Sequence, residues 1–341
     1  MKSEPLVSVL IPVYNCEKYI RLALESVLFQ SYRNLEVLVC DDGSIDKSIE
    51  EIEKVAATDN RVLFLRNKNN IGKVDTINNL ISIATGTYIS FLDSDDLWDM
   101  NKIQVQVEFL EKNDEYVFIS TSCSRIDELG RKIGEDIISA NNEVITECLL
   151  SGNGMTVCCS STLVRSNYAK KVGGFNKYFH DCNGEDLDFI ARLMAYGKGM
   201  SLPDLLYSYR FRSNSLTRRV FSTVRQRHSH QVIAFLYKQR IENEGKDSLN
   251  SDLNGLEDYM KQLEVPYTVD STLMSRQMAV DYAISGEFRK SLFHLKSGFS
   301  FSRLESFVKA LIIILLLVVF PRNFLLKVKN LCGLTKITGR V

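Results

Sequence analysis

The feature that most constrains the fold is a repeated alternation of strand and helix signals over residues 6–96. LVSVLIPV (6–13) is a short apolar run rich in β-branched residues, the pattern of a buried strand. After Asn15, helical spacing over 17–30 places Tyr19, Ile20, Ala23, Leu24, Val27 and Leu28 on one side. LEVLVC (35–40) is a second buried strand, running into the acidic turn DDGSID (41–46) and a helix with Ile49, Ile52 and Val55. RVLFLR (61–66) is a third, followed by the loop NKNNIGK (67–73) and a helix to Ala84. TYISFLD (87–93) is a fourth and ends in DSDD (93–96). Repeated βα units predict an α/β fold, a mainly parallel central sheet with helices on both faces. Ligands of such sheets sit beyond the carboxyl ends of the strands. Both acidic turns fall there.

From 104 to 217 the signals are mixed. YVFIST (116–121) and VCCSSTLV (157–164) have strand character, and EDLDFIARLMAYG (185–197) has that of a helix ending at Gly197. From 218 helices dominate, which sets a boundary near 218–222. Net charge is zero but uneven: residues 1–217 hold 23 Lys+Arg against 31 Asp+Glu, and residues 218–341 hold 19 against 11. An acidic front suits a metal site, and a basic rear suits a negative surface such as a membrane. The apolar run 310–320 (ALIIILLLVVF) is too short to cross a bilayer: as a helix it spans about 16 Å against a hydrocarbon core of about 30 Å. Residues 288–341 carry ten basic side chains and one acidic one. This favours a membrane-dipping or interfacial helix in a tail at 306–341 over a buried core helix. No C-x-x-C pair exists among the eight cysteines, which argues against zinc, and adjacent Cys158 and Cys159 suit reduced thiols better than a disulfide framework. The first apolar run, Val7 to Val13, is broken by Pro12 and is no signal peptide. Together these place the chain in the cytoplasm, at the inner face of a membrane.

Three acidic groups carry candidate chemistry. In DSDD, carboxylates two residues apart after a strand can converge on a hard cation, Mg²⁺ or Mn²⁺, which in turn binds substrate phosphates. In DDGSID, Asp41 or Asp42 can accept hydrogen bonds from a base or a ribose, Gly43 permits a tight turn, and Ser44 can cap a helix. In GEDLDF (184–189), Glu185, Asp186 and Asp188 open a helix, where a carboxylate can serve as general base. Taken singly, each is equally ordinary turn or helix-start chemistry.

Taken together they are more specific. The opening VSVLIPVYNCEKYIRLALESVLFQSYRNLEVLVCDDGSIDKS resembles that of family 2 glycosyltransferases. NNIGK (69–73), GTYISFLDSDDLW (86–98), GGF (173–175), GEDLDFIARL (184–193) and YRFRSNSLT (209–217) match the same family in order and spacing. The resemblance covers residues 6–217 and implies a GT-A nucleotide-binding catalytic domain at 1–217, followed by a helical extension at 218–305 and the tail. It implies inverting transfer of a hexosyl or N-acetylhexosaminyl group from a nucleotide-sugar, on family frequency a UDP-sugar, to a sugar hydroxyl in building a bacterial-type surface polysaccharide. It puts Pro12, Tyr14 and Asp42 at the base, with Asp41 beside them. Lys73 lies in the loop near base or phosphates, Asp93 at ribose or metal, and Asp95 as the principal metal ligand. Asp186 matches the family's catalytic base, with Glu185 beside it. The family commonly has His where this chain has Arg212; arginine cannot ligate a metal but can hold a diphosphate. The expected partners are the donor, a sugar or lipid-linked sugar acceptor, Mn²⁺ or Mg²⁺ and a membrane surface, and no nucleic acid. A sugar-phosphate nucleotidyltransferase would want a Gly-rich phosphate loop near the N-terminus, and residues 8–16 contain no glycine. A non-catalytic scaffold on the same fold would have lost Asp42, Asp95 and Asp186, all of which are present.

Overall fold

The computed structural model describes residues 4–152, 157–212 and 220–319. Strands β1 (Val7–Val13), β2 (Leu35–Asp41), β3 (Val62–Arg66) and β4 (Tyr88–Phe91) alternate with helices α1 (Ile20–Leu28), α2 (Ser48–Ala56) and α3 (Lys73–Ile83). Then come β5 (Leu97–Trp98), α4 (Lys102–Lys112), β6 (Tyr116–Ile126), β7 (Lys132–Asp136), α5 (Asn142–Ser151), β8 (Leu163–Arg165), α6 (Ser166–Lys171), α7 (Glu185–Leu193) and β9 (Lys198–Arg210). The remainder is helical: α8 (Val224–Arg227), α9 (Ser229–Glu242), α10 (Leu256–Val269), α11 (Leu273–Ile284), α12 (Phe288–Ser297) and α13 (Leu304–Val319).

The strands form one sheet in the order β3-β2-β1-β4-β8-β6-β9-β5, with β7 beside β6. The β3-β2-β1-β4 half is parallel, as the βα repeats require, and β8 joins antiparallel to β4. Successive strand side chains point to opposite faces, so β1 and β2 feed two cores. Leu10 and Leu38 pack with α3 (Val74, Ile77, Leu80), α7 (Phe189, Ile190) and α9 (Val232, Ile233, Leu236). Val9, Ile11, Val37 and Val39 pack with α1 (Ile20, Ala23, Leu24, Val27) and α2 (Ile52, Val55). Helix α9, beyond the sequence boundary at 218–222, thus shares a core with helix α7.

Two elements differ from the sequence expectation. Residues 157–164 are not one strand: Cys159–Ser161 form a 3-10 turn before β8. Hydroxyls turn the chain back there, Ser161 Oγ donating to Thr121 O at 2.9 Å and Thr162 Oγ1 to Cys159 O. The long strand β9 was not anticipated. It runs parallel to β6, and the register skips from Thr121↔Leu202 to Ser122↔Leu205. Pro203, which has no N–H to donate, falls in that irregularity.

Candidate active site

The three acidic groups lie around the carboxyl ends of β2, β1 and β4. The β1 and β2 ends are tied together. Asp42 N donates to Val13 O at 2.7 Å, Asn15 N to Ser44 Oγ at 2.9 Å, and Ile45 N to Asn15 Oδ1 at 2.9 Å. Pro12 is half-buried at the end of β1 and Tyr14 is 49% exposed just beyond it. Asp41 closes the turn, its Oδ2 accepting from Gly43 N and Ser44 N; its buried Oδ1 has no hydrogen-bond partner among the described residues. Asp42, assigned by resemblance to the base, is 3% exposed and engages both oxygens with the 67–72 loop. Its Oδ1 accepts from Asn67 Nδ2 at 2.8 Å and Ile71 N at 2.9 Å, and its Oδ2 from Gly72 N at 2.9 Å. That loop lies directly on Gly43, where a Cβ would stand 2.8 Å from Asn70 N and where φ is 76°. Only glycine meets both conditions.

The loop delivers Lys73, the first residue of α3, to Asp93, with Nζ 2.6 Å from Oδ1. Ser160 Oγ donates to the other oxygen at 2.8 Å. Lys73 also feels Glu185 and Asp186 across the cleft. Burial pulls its ammonium down, but Asp93, Glu185 and Asp186 outweigh this and hold it above the ordinary lysine value. Burial pushes Asp93 up, and Lys73 and Ser160 more than reverse that. Asp186, half-buried, accepts from Leu187 N at 2.7 Å; burial raises its carboxyl against the pull of Lys73. Glu185 is pushed up to about 7 by burial and then by Asp186, and its Oε2 has no partner among the described residues. Asp188 faces away from this cleft, fully buried between Arg192 and Arg240.

Asp95 and Asp96 diverge. Asp96 is 1% exposed and accepts from Tyr207 OH and from Arg210 N at 2.6 Å, so it anchors β9. Asp95 is partly exposed and pairs through Oδ2 with Arg212 Nη1 at 2.9 Å. Burial and then Asp93 raise its carboxyl, and Arg212 opposes them. Tyr19 carries both arginines, with Arg210 4.7 Å and Arg212 5.3 Å from its ring centre. Arg210 is fixed by Asp95 O at 2.6 Å and Asp127 O at 3.0 Å. Arg212, at the edge of the described chain, also lines a cavity of about 230 Å³ with Lys18, Tyr19, Asp46 and Glu128.

Among the described residues no group of three metal-ligating side chains forms. Asp95 is nonetheless a hard oxygen donor beside a second carboxylate. Mg²⁺ and Mn²⁺ bind with one or two carboxylates when diphosphate and water supply the rest. The residues therefore fit an ion that arrives with the nucleotide. Sequence reasoning missed Ser160, hidden in an assumed strand, and Tyr19, read only as a core residue of α1. Neither carries a spacing signal, since their partners are 67 residues away in one case and more than 190 in the other. The rest of YRFRSNSLT, 213–217, lies outside the described residues.

The model of the family described as glycosyl transferase family 2 matches residues 8–173. EpsE of Bacillus subtilis, described as a glycosyltransferase, is 32% identical over 224 residues, covering 65% of this chain and 79% of EpsE. WfaP of Escherichia coli, a UDP-Glc:α-D-GlcNAc-diphosphoundecaprenol β-1,3-glucosyltransferase, is 42% identical over 117 residues, 34% of this chain and 45% of WfaP. Among solved structures, the mannosyltransferase PcManGT from Pyrobaculum calidifontis, in complex with GDP-Man and Mn²⁺, superposes with a TM-score of 0.54 at 18% identity, over 97% of this chain and 88% of that one. That likeness is one of fold, and the fold is the GT-A architecture expected from the sequence.

Proposed function

This chain belongs to glycosyl transferase family 2, and from that premise we propose that it transfers a sugar, with inversion, from a UDP-sugar to a hydroxyl of a lipid-linked sugar acceptor at a membrane surface. It is a glycosyltransferase enzyme of glycan synthesis. The observation that carries the finer reading is Lys73, whose ammonium bonds Asp93 of the D-x-D turn and lies within electrostatic reach of Glu185 and Asp186 on the helix of the proposed base. Carboxylates distant in sequence thereby come near one cation. The UDP-sugar and the lipid-linked acceptor are supported by the activity of the relative WfaP and by the apolar, basic C-terminus.

In this reading Tyr14, Pro12, the Asp41–Asp42 turn and the loop that Asp42 holds frame the base. Lys73 keeps Asp93 ionised toward the ribose. Asp95, with Asp93 beside it, would hold a divalent ion, which would supply charge compensation to the leaving diphosphate when bound. Arg212 leaves Asp95 for the diphosphate, to which a guanidinium can donate two parallel hydrogen bonds. Asp186 accepts the proton of the acceptor hydroxyl as its oxygen bonds to the anomeric carbon. The bond from that carbon to the diphosphate breaks on the opposite face, with its electron pair going to the nucleotide, and configuration inverts. The organisation that goes with this keeps the chemistry within 1–217, has helices at 218–305 of which α9 completes the core of the catalytic part, and ends in a membrane-associating tail at 306–341.

The test is Asp186→Asn. The variant should bind UDP-sugar in calorimetry as the parent does, while release of UDP in the presence of a polyprenyl-diphosphate-linked sugar falls to background. Normal transfer by this variant would remove Asp186 as the base.

A further inference from the structure

Helices α11, α12 and α13 build a small core of their own from Ala279, Val280, Ala283, Leu295, Ala310 and Ile314. Helix α13 is apolar nearly all round from Ala310 onward. Such a helix belongs between two apolar surfaces. The protein supplies one of them, through α11 and α12. On the other side Leu304, Val308, Ile312, Leu315 and Val318 are each 41–59% exposed. Their three- and four-residue spacing lines them along one stripe. Phe301, in the turn before α13 and 84% exposed, extends it: its ring meets Phe299, which meets Phe307 of α13. Single exposed apolar residues are ordinary, but a contiguous stripe marks an interaction surface.

Charge selects the occupant. Within 288–319 five basic side chains (Arg289, Lys290, Lys296, Arg303, Lys309) stand against one acidic one, and residues 320–341 add five more and no acid. An apolar stripe in a segment of net positive charge suits an anionic bilayer interface. No helix among the described residues is long and apolar enough to cross a membrane. We propose that the face from Phe301 to Val318 lies flat in the interfacial zone of an anionic membrane, with α11 and α12 as its rigid backing, so that the folded helical end itself docks. The proposal rests on the membrane reading given above and deepens it by naming the face and its in-plane pose.

The test is flotation of the full-length protein with vesicles of phosphatidylcholine alone or mixed with phosphatidylglycerol. The parent should float with the mixed vesicles and far less with the neutral ones. Ile312→Asp/Leu315→Asp, and separately Phe301→Asp, should float at least about tenfold less, because each replaces buried hydrocarbon by a charge. Their thermal unfolding should match the parent, since these side chains face outward. If the variants float like the parent, the face is wrong while the membrane reading stands. If the parent itself does not float, both fall. A parent dimer that the double variant dissociates would give the stripe to a second copy. A lowered melting point in the variants would give it to residues 320–341. Either result overturns the proposal.

Discussion

Lys73 and Arg212 hold the two carboxylates of the D-x-D turn in different ways. Lys73 sits on Asp93 together with Ser160, a closed arrangement that keeps Asp93 ionised. Arg212 holds Asp95 by one oxygen at a partly exposed edge, so its bond is the one that can exchange. Replacing Arg212 by Ala should make Mn²⁺ bind more tightly to the nucleotide-free protein. It should weaken UDP-sugar binding by about 10- to 150-fold, the value of a charge-assisted hydrogen bond at roughly 1.5–3 kcal/mol. Calorimetry with Mn²⁺ alone and with UDP-sugar reads both, and unchanged Mn²⁺ affinity would show that Arg212 does not compete for Asp95. Glu185 makes a second prediction. Its carboxyl is raised from 4.5 to about 7 by burial and then by Asp186, so between those values the folded protein binds more protons than the unfolded chain. The stability this contributes is full below 4.5 and is lost as pH rises through about 7. Glu185→Gln should flatten the fall of melting temperature over that window. An unchanged slope of melting temperature against pH would mean that Glu185 does not hold its proton across that window.

At the scale of elements, the pose of α7 is set from behind. Asp188 accepts from Arg192 Nε at 2.8 Å and from Arg240 Nη2 at 2.9 Å, and Arg240 also meets Asp247, with all but Arg192 essentially sealed from water. Removing one partner of a buried ion pair leaves an uncompensated charge, at a cost of about 3–5 kcal/mol. Arg240→Ala should lower the free energy of unfolding in urea by that amount, and a loss below about 1 kcal/mol would show that water reaches the site. The sequence made the parallel half readable because β1, β2 and β4 are continuous apolar runs bounded by polar turns, and periodicity reports that directly. The acidic turns were readable for the same reason, since strand ends carry them. The Asp95–Arg212 and Asp188–Arg240 pairs were not, because nothing local in a carboxylate tells which distant arginine will face it. Strand β9 was hidden by Gly199, Pro203 and Asp204, which read as loop residues; Gly199 pairs with Phe118, while Pro203 and Asp204 fall where the register to β6 skips. The turn at 159–161 was hidden because β-branched and small residues suit a strand equally well, and the choice falls to hydroxyls that bond to β6.

The molecule as a whole does not divide where its secondary structure changes character. Val232, Ile233, Leu236 and Tyr237 of α9 are each at most 4% exposed, in the core that also holds Leu10, Phe91 and Phe189. Four such side chains contribute about 1.5–3 kcal/mol each, comparable in sum to the 5–15 kcal/mol that stabilises a typical domain. A chain ended at residue 217 should therefore show no cooperative thermal transition by circular dichroism. A sharp melt would mean that the front half closes its core alone. Gly43 sets a different limit on the design of this cleft. Its hydrogen leaves just enough room for the backbone of Asn70, and everything downstream of that contact is stacked like a lever. A methyl group there would work as a wedge. It would pry the loop from Asp42, tilt the first turn of α3 and draw the ammonium off its carboxylate, so that the donor and acceptor ends of the cleft lose alignment in one motion.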